Sequence, residues 1–138
     1  LLARNHRLDE ASALYEQSLA IRRTPMALFN LAQVRAAQGM KTEAVELYEE
    51  LLVLRPDHAH GHAKLGSLEL QRGNIDQAFM HLERARALDP GIPSVHYNLG
   101  LIYEHMERED DARRSFKRVL ELDPHDPQAL RKIGKGTP

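Results

Sequence analysis

Three histidines at steps of two, His58, His60 and His62, are the residues in this 138-residue chain whose spacing most suggests chemistry. On a helix, His58 and His62 would lie one turn apart, close enough for two neutral imidazoles to share a metal ion. No Asp or Glu stands among the three to complete a ligand set, and His58 falls in a connecting loop, so no metal or cofactor site is expected. Carboxylates are plentiful, but Glu43, Glu46, Glu49 and Glu50 recur at helical spacing among basic residues, the pattern of a solvated face with local ion pairs. Ser67, Ser94 and Ser115 sit in no nucleophile motif, and Gly39 and Gly73 sit in turns rather than in a phosphate-binding loop. Absence of cysteine removes disulfides, thiol catalysis and thiolate metal ligands, and is tolerated by cytosol, the favoured compartment, and periplasm alike. The chemistry-bearing residues therefore predict no enzyme.

The elements that position them repeat. Ala44, Ala78 and Ala112 are spaced 34 residues apart, as are Pro56, Pro90 and Pro124. Leu31, Leu65, Leu99 and Ile133 keep the same step, each followed by a small residue, Ala32, Gly66, Gly100 or Gly134. A period of this length marks supersecondary units that bury their apolar faces only against neighbours. Within 25–58, Leu28, Leu31, Ala32 and Val34 form one helical stripe, Gln38-Gly39 closes it, and Ala44, Leu47, Tyr48, Leu51 and Leu54 form a second stripe ending at Arg55-Pro56. The same plan predicts helices from about Ala59 to Gln71, from Ile75 to near Leu88, from Pro93 to near Glu107, and from there to Leu122-Asp123-Pro124. Glu107 stands where Gly39 and Gly73 stood, so the third turn must accept strain or use another geometry. No strand pattern is present.

Domain organisation follows: a partial repeat over 1–23, comprising the end of one helix and a full second helix, then repeats over 25–58, 59–92 and 93–126, and a partial first helix with a tail over 127–138. Leu1-Leu2 and Ile133 are apolar at the ends of an array whose terminal faces should be polar, which predicts an excised part of something longer.

The period, together with His96-Tyr97-Asn98-Leu99-Gly100, Tyr103, Asp111-Ala112, Phe116 and Leu122-Asp123-Pro124, resembles the tetratricopeptide repeat over essentially the whole chain. Departures are Leu28, His62 and His96 at the family's tryptophan position, and Arg35 and Glu69 at its first-helix tyrosine. The resemblance implies an all-α, right-handed α-solenoid of antiparallel helix-turn-helix repeats, with the first helix of each repeat lining a concave groove. Under it, the groove carries Phe29, Asn30, Gln33, His60, Lys64, Tyr97, Asn98, His105, Arg131 and Lys132, with Ser67, Ser94 and Gln128 beside them. The family's two-carboxylate clamp fails in the register that begins at Pro25, where the places it requires hold Phe29, Gln33, Lys64, Ser94 and Asn98; begun one unit earlier, Asn30 matches and His60 and Lys64 stand in place of Lys and Arg.

With 19 Lys and Arg against 20 Asp and Glu, the net charge of −1 provides no field for nucleic acid or anionic lipid, and no apolar run is long enough for membrane insertion. The expected function is a non-catalytic protein-interaction scaffold holding a partner peptide or helix in the groove. The alternatives are the substrate-docking or regulatory segment of a larger, glycosyltransferase-like enzyme, and a scaffold that self-assembles into a homo-oligomer through its repeat ends.

Overall fold

A computed structural model describes residues 2–135, with side chains over 3–134. Leu1, the Leu2 side chain and the tail residues 136–138 lie outside the described residues. The described residues form eight helices joined by short turns: α1 (Leu2–Ile21), α2 (Pro25–Ala37), α3 (Lys41–Leu54), α4 (Ala59–Gln71), α5 (Ile75–Leu88), α6 (Pro93–His105), α7 (Glu109–Leu122) and α8 (Pro127–Lys135). The most extensive packing is within the pairs α2–α3, α4–α5 and α6–α7, and each pair also packs on its neighbours in sequence. None of the described helices is long and apolar enough to cross a membrane.

The first helix of each unit begins in one of several ways at equivalent positions. The Thr24 side chain accepts from Ala27 N at 3.2 Å, His58 Nδ1 from Gly61 N at 2.8 Å and Asp126 Oδ2 from Ala129 N at 2.8 Å. Each satisfies an N–H that has no partner within its helix. Ile92 at the start of α6 has no such side-chain bond, and Pro93 follows with no N–H to satisfy.

These helices end in one geometry. Gly39 N donates to Ala36 O and Met40 N to Arg35 O, and the same pair of bonds joins Gly73 to Leu70 and Asn74 to Glu69. Glu107 to Glu104 and Arg108 to Tyr103 repeat it, giving three Schellman turns. Gly39 and Gly73 take φ 82°, whereas Glu107 takes φ 58°, close to the left-handed minimum that L-residues tolerate. The third turn thus keeps its hydrogen bonds and shifts its backbone angle.

Arg35, Glu69 and Tyr103 occupy one repeat position, and each touches the residue five places on. The Arg35 guanidinium lies 4.0 Å from Met40 Sδ, Asn74 Nδ2 donates to Glu69 Oε2 at 2.9 Å, and the Arg108 guanidinium stands 5.0 Å from the Tyr103 ring centroid. Arg35 further bridges Glu16 and Glu43, and buried Glu69 also binds Arg72 at 2.9 Å. The departures from tyrosine are therefore each matched locally.

The small residues mark where paired helices come closest. A Cβ on Gly66 would stand 2.7 Å from Leu82 Cγ, and one on Gly100 2.5 Å from Phe116 Cε1. Ala32 in the first unit shares a core with Tyr48, the counterpart of Leu82 and Phe116. Burial pushes the Tyr48 phenol pKa well above its usual range, so it packs as a neutral ring.

One expectation differs at the N-terminus. Residues 1–23 were expected to hold the end of one helix and then a second, but α1 runs unbroken through 2–21. Asn5-His6-Arg7, where the turn would fall, lacks the glycine that supplies positive φ elsewhere, and nothing interrupts the helix. Ser12 and Leu19 are its buried residues, and α1 packs against α2.

Candidate partner-binding site

Helices α4, α6 and α8 and the turn before α8 enclose a depression of about 510 Å³ that brings together Ser67, Ser94, Tyr97, Asn98, Asp126 and Gln128. Tyr97 is half-buried, its ring 5.6 Å from that of Phe116 at 55°, so α7 supports it from behind. Asn98 beside it is half-buried and makes no side-chain hydrogen bond among the described residues. Asp126 is committed to capping α8. The depression therefore offers an aromatic face, hydroxyls and unengaged amides, which suit a peptide backbone.

The other expected groove residues divide. Gln33, His60, Lys64, His105 and Arg131 are exposed, and Asn30 is half-buried. Lys64 and Arg131 make no ion pair among the described residues. Phe29 is half-buried between repeats, its ring 5.9 Å from Tyr48 and 5.1 Å from the His58 cap, so much of it packs. Lys132 is engaged elsewhere: Nζ binds Glu104 Oε1 at 2.8 Å and lies 5.8 Å from the Phe116 ring centroid, beside a separate depression with Glu109, Arg113 and Ile133. Its aliphatic stem and charge close the α6–α7–α8 junction.

Carboxylates outside the groove are largely matched. Arg23 binds Glu50 through two bonds of 2.6 and 2.7 Å, and that bonding holds the Glu50 carboxyl below its ordinary pKa. Glu83 binds Arg86, Asp111 binds Arg108 and Arg114, and Glu121 binds Arg118. Glu43, weighed above for acid–base chemistry, sits with Arg35.

The histidines are used structurally, and not in the combination their spacing suggested. His58 Nδ1 caps α4, and burial, then the charges of His60 and Arg55, depress its pKa. His62 Nε2 lies 2.8 Å from the Pro56 carbonyl and His96 Nε2 2.7 Å from that of Pro90, so each ring donates to the turn preceding its own helix. The contact missed from the sequence joins His62 Nδ1 to His81 Nδ1 at 3.1 Å. Repeat register carried the signal, because His62–His81 is equivalent to Leu28–Leu47 and His96–Ser115. Among the described residues no group of three or more His, Cys, Asp or Glu side chains is placed to hold a metal.

Paired helices with this turn chemistry, joined by a groove of polar and aromatic groups, define an all-α helical-repeat scaffold for protein interaction. Residues 1–59 and 69–135 each match a tetratricopeptide repeat model, and the chain belongs to that family. It is 31% identical over 103 residues to the Arabidopsis thaliana protein CTR9 homolog, covering 74% of this chain and 9% of that protein. To the Homo sapiens protein O-mannosyl-transferase TMTC3 it is 30% identical over 103 residues, covering 73% of this chain and 11% of that protein. A crystal structure of MamA superposes with a TM-score of 0.83 at 26% identity, covering 93% of this chain and 75% of that one. The chain thus spans a small part of the length of these curated relatives. The repeat fold is generally a non-catalytic interaction module.

Proposed function

We propose that this chain is a non-catalytic docking module that holds an extended or helical segment of another protein along α2, α4, α6 and α8, and that the segment is acidic. The observation that carries this reading is the electrostatics of the groove. Lys64 and Arg131 are exposed cations without ion pairs among the described residues, and Asp126, the carboxylate lining the depression, is occupied as a cap. An acidic segment would gain attraction there without displacing an internal ion pair, and the unengaged Asn98 amide suits its backbone. Because the groove is preformed by packed helices, little ordering of the module opposes binding.

A peptide-library selection tests this, using wild type beside a Lys64→Ala/Asn98→Ala/Arg131→Ala variant. Phe29 and Lys132 are left intact because their packing would confound the result. Selected sequences rich in Asp and Glu, losing at least tenfold in affinity to the variant, support the reading. Equal binding by the variant moves the surface elsewhere.

Similarity to the protein O-mannosyl-transferases of Homo sapiens and Caenorhabditis elegans supports a second reading, in which the same groove docks substrates or regulates within a larger enzyme.

A further inference from the structure

We infer that His62 and His81 form a two-imidazole site for a divalent transition-metal ion, in a depression separate from the groove. The His62 ring is held with Nε2 against the Pro56 carbonyl at 2.8 Å. A carbonyl oxygen only accepts, so Nε2 carries the proton and Nδ1 presents a lone pair. This is the arrangement by which metal-binding histidines are usually oriented, with the distal N–H anchored on a carbonyl or carboxylate. His96 is clipped to Pro90 in the same way, but Ser115 stands opposite it where His81 faces His62. Only the second of the three full repeats sets one imidazole against another.

The spacing suits chelation. Nδ1 lies 3.1 Å from Nδ1, a separation at which metal–nitrogen bonds of about 2.1 Å give an angle at the metal of about 95°; with the ring centroids 5.3 Å apart the two nitrogens face each other nearly in line, so a ring must turn for both lone pairs to meet one ion. Without metal, His81 Nδ1–H donates to His62 Nδ1. On binding, that proton leaves Nδ1 and His81 takes one up at Nε2 from solvent, so both rings stay neutral and the metal sheds two waters. The rings open into a depression of about 540 Å³ that Met80 also lines, leaving room for the remaining ligands as water or as a donor from a bound partner. His81, which is half-buried, is the ring that turns on binding, since His62 is held by its clip. Two imidazoles make Cu²⁺ the tightest of the common divalent ions by the general order of affinities.

Cu²⁺ titration of the purified chain, read by electron paramagnetic resonance and calorimetry, tests the site. His81→Leu is the informative variant, because leucine fills the equivalent position at Leu47 and leaves the His62 clip in place. Wild type should bind one equivalent with two nitrogen couplings. His81→Leu should bind at least tenfold more weakly with one coupling lost, while His60→Ala should match wild type. Equal affinity in His81→Leu, or loss of binding in His60→Ala with retention in His81→Leu, would overturn the assignment.

Discussion

Glu107 is the residue in the structure whose replacement gives the cleanest measure of backbone strain. Its turn shares its hydrogen bonds with those at Gly39 and Gly73, yet an L-residue holds φ 58°. The left-handed conformation disfavours a side-chain-bearing residue by about 1–2 kcal/mol. Glycine removes that penalty but adds about 0.4–1 kcal/mol of chain freedom to the unfolded state. Glu107→Gly should therefore stabilise by roughly 0.5–1 kcal/mol. With about 2.1 cal/mol/K of unfolding entropy per residue, the 138-residue chain should gain about 2–3 °C in melting temperature. The Glu107 side chain is exposed and makes no ion pair among the described residues, so little else is lost. Gly73→Ala is the inverse experiment: a Cβ there meets nothing within 4 Å, φ is 82°, and the expected change is a loss of about 1 kcal/mol from the backbone alone. Thermal melts and urea titrations followed by circular dichroism measure both. If Glu107→Gly melts at or below wild type, strain is not what distinguishes the third turn.

Gly100→Ala tests helix spacing: its Cβ would meet Phe116 at 2.5 and 2.7 Å, and in the same urea titration overpacking of about 1–3 kcal/mol should outweigh the helix propensity gained. A third prediction concerns pH. His58 is depressed below 6.5 by burial, then by His60 and Arg55, so the unfolded chain binds more protons on acidification. Its contribution is full above pH 6.5 and is lost as pH falls through the folded value; His81, depressed by burial and then by His62, adds in the same direction. His58→Asn keeps an acceptor for Gly61 N and should flatten this decline, whereas parallel stability curves for variant and wild type between pH 7.5 and 5 would refute the cap as its source.

Helices α2 to α7 were legible because apolar positions recur with one phase and proline or glycine punctuates each unit. The α1 helix was misread for the complementary reason: Ala11 stands 33 residues before Ala44, one short of the repeat, and the turn position has no glycine, leaving only an alignment to suggest a break. Exposure was readable where the repeat phase alone decides it, as at Lys64 and Gln33. Phe29 and Lys132 depart because each has a specific partner on another element, the His58 cap in one case and Glu104 in the other. The His62–His81 contact went unread because adjacency was sought along one helix and not across a packed pair. Matches at Arg35–Met40, Glu69–Asn74 and Tyr103–Arg108 also lay in the sequence, five residues apart, hidden by three different chemistries.

Those three matches bear on how such an array can be rearranged in descent. A crossover inside a turn would place a Glu69-type residue before a Met40-type one, leaving a buried carboxylate without the amide that donates to it. A crossover at Pro56 or Pro90 keeps every pair whole and joins identical residues, to which the next histidine is clipped through the proline carbonyl alone. The proline-to-proline segment is therefore the unit that can be duplicated, exchanged or lost with its turn pairs intact, and Arg35, Glu69 and Tyr103 would diverge only in step with their partners.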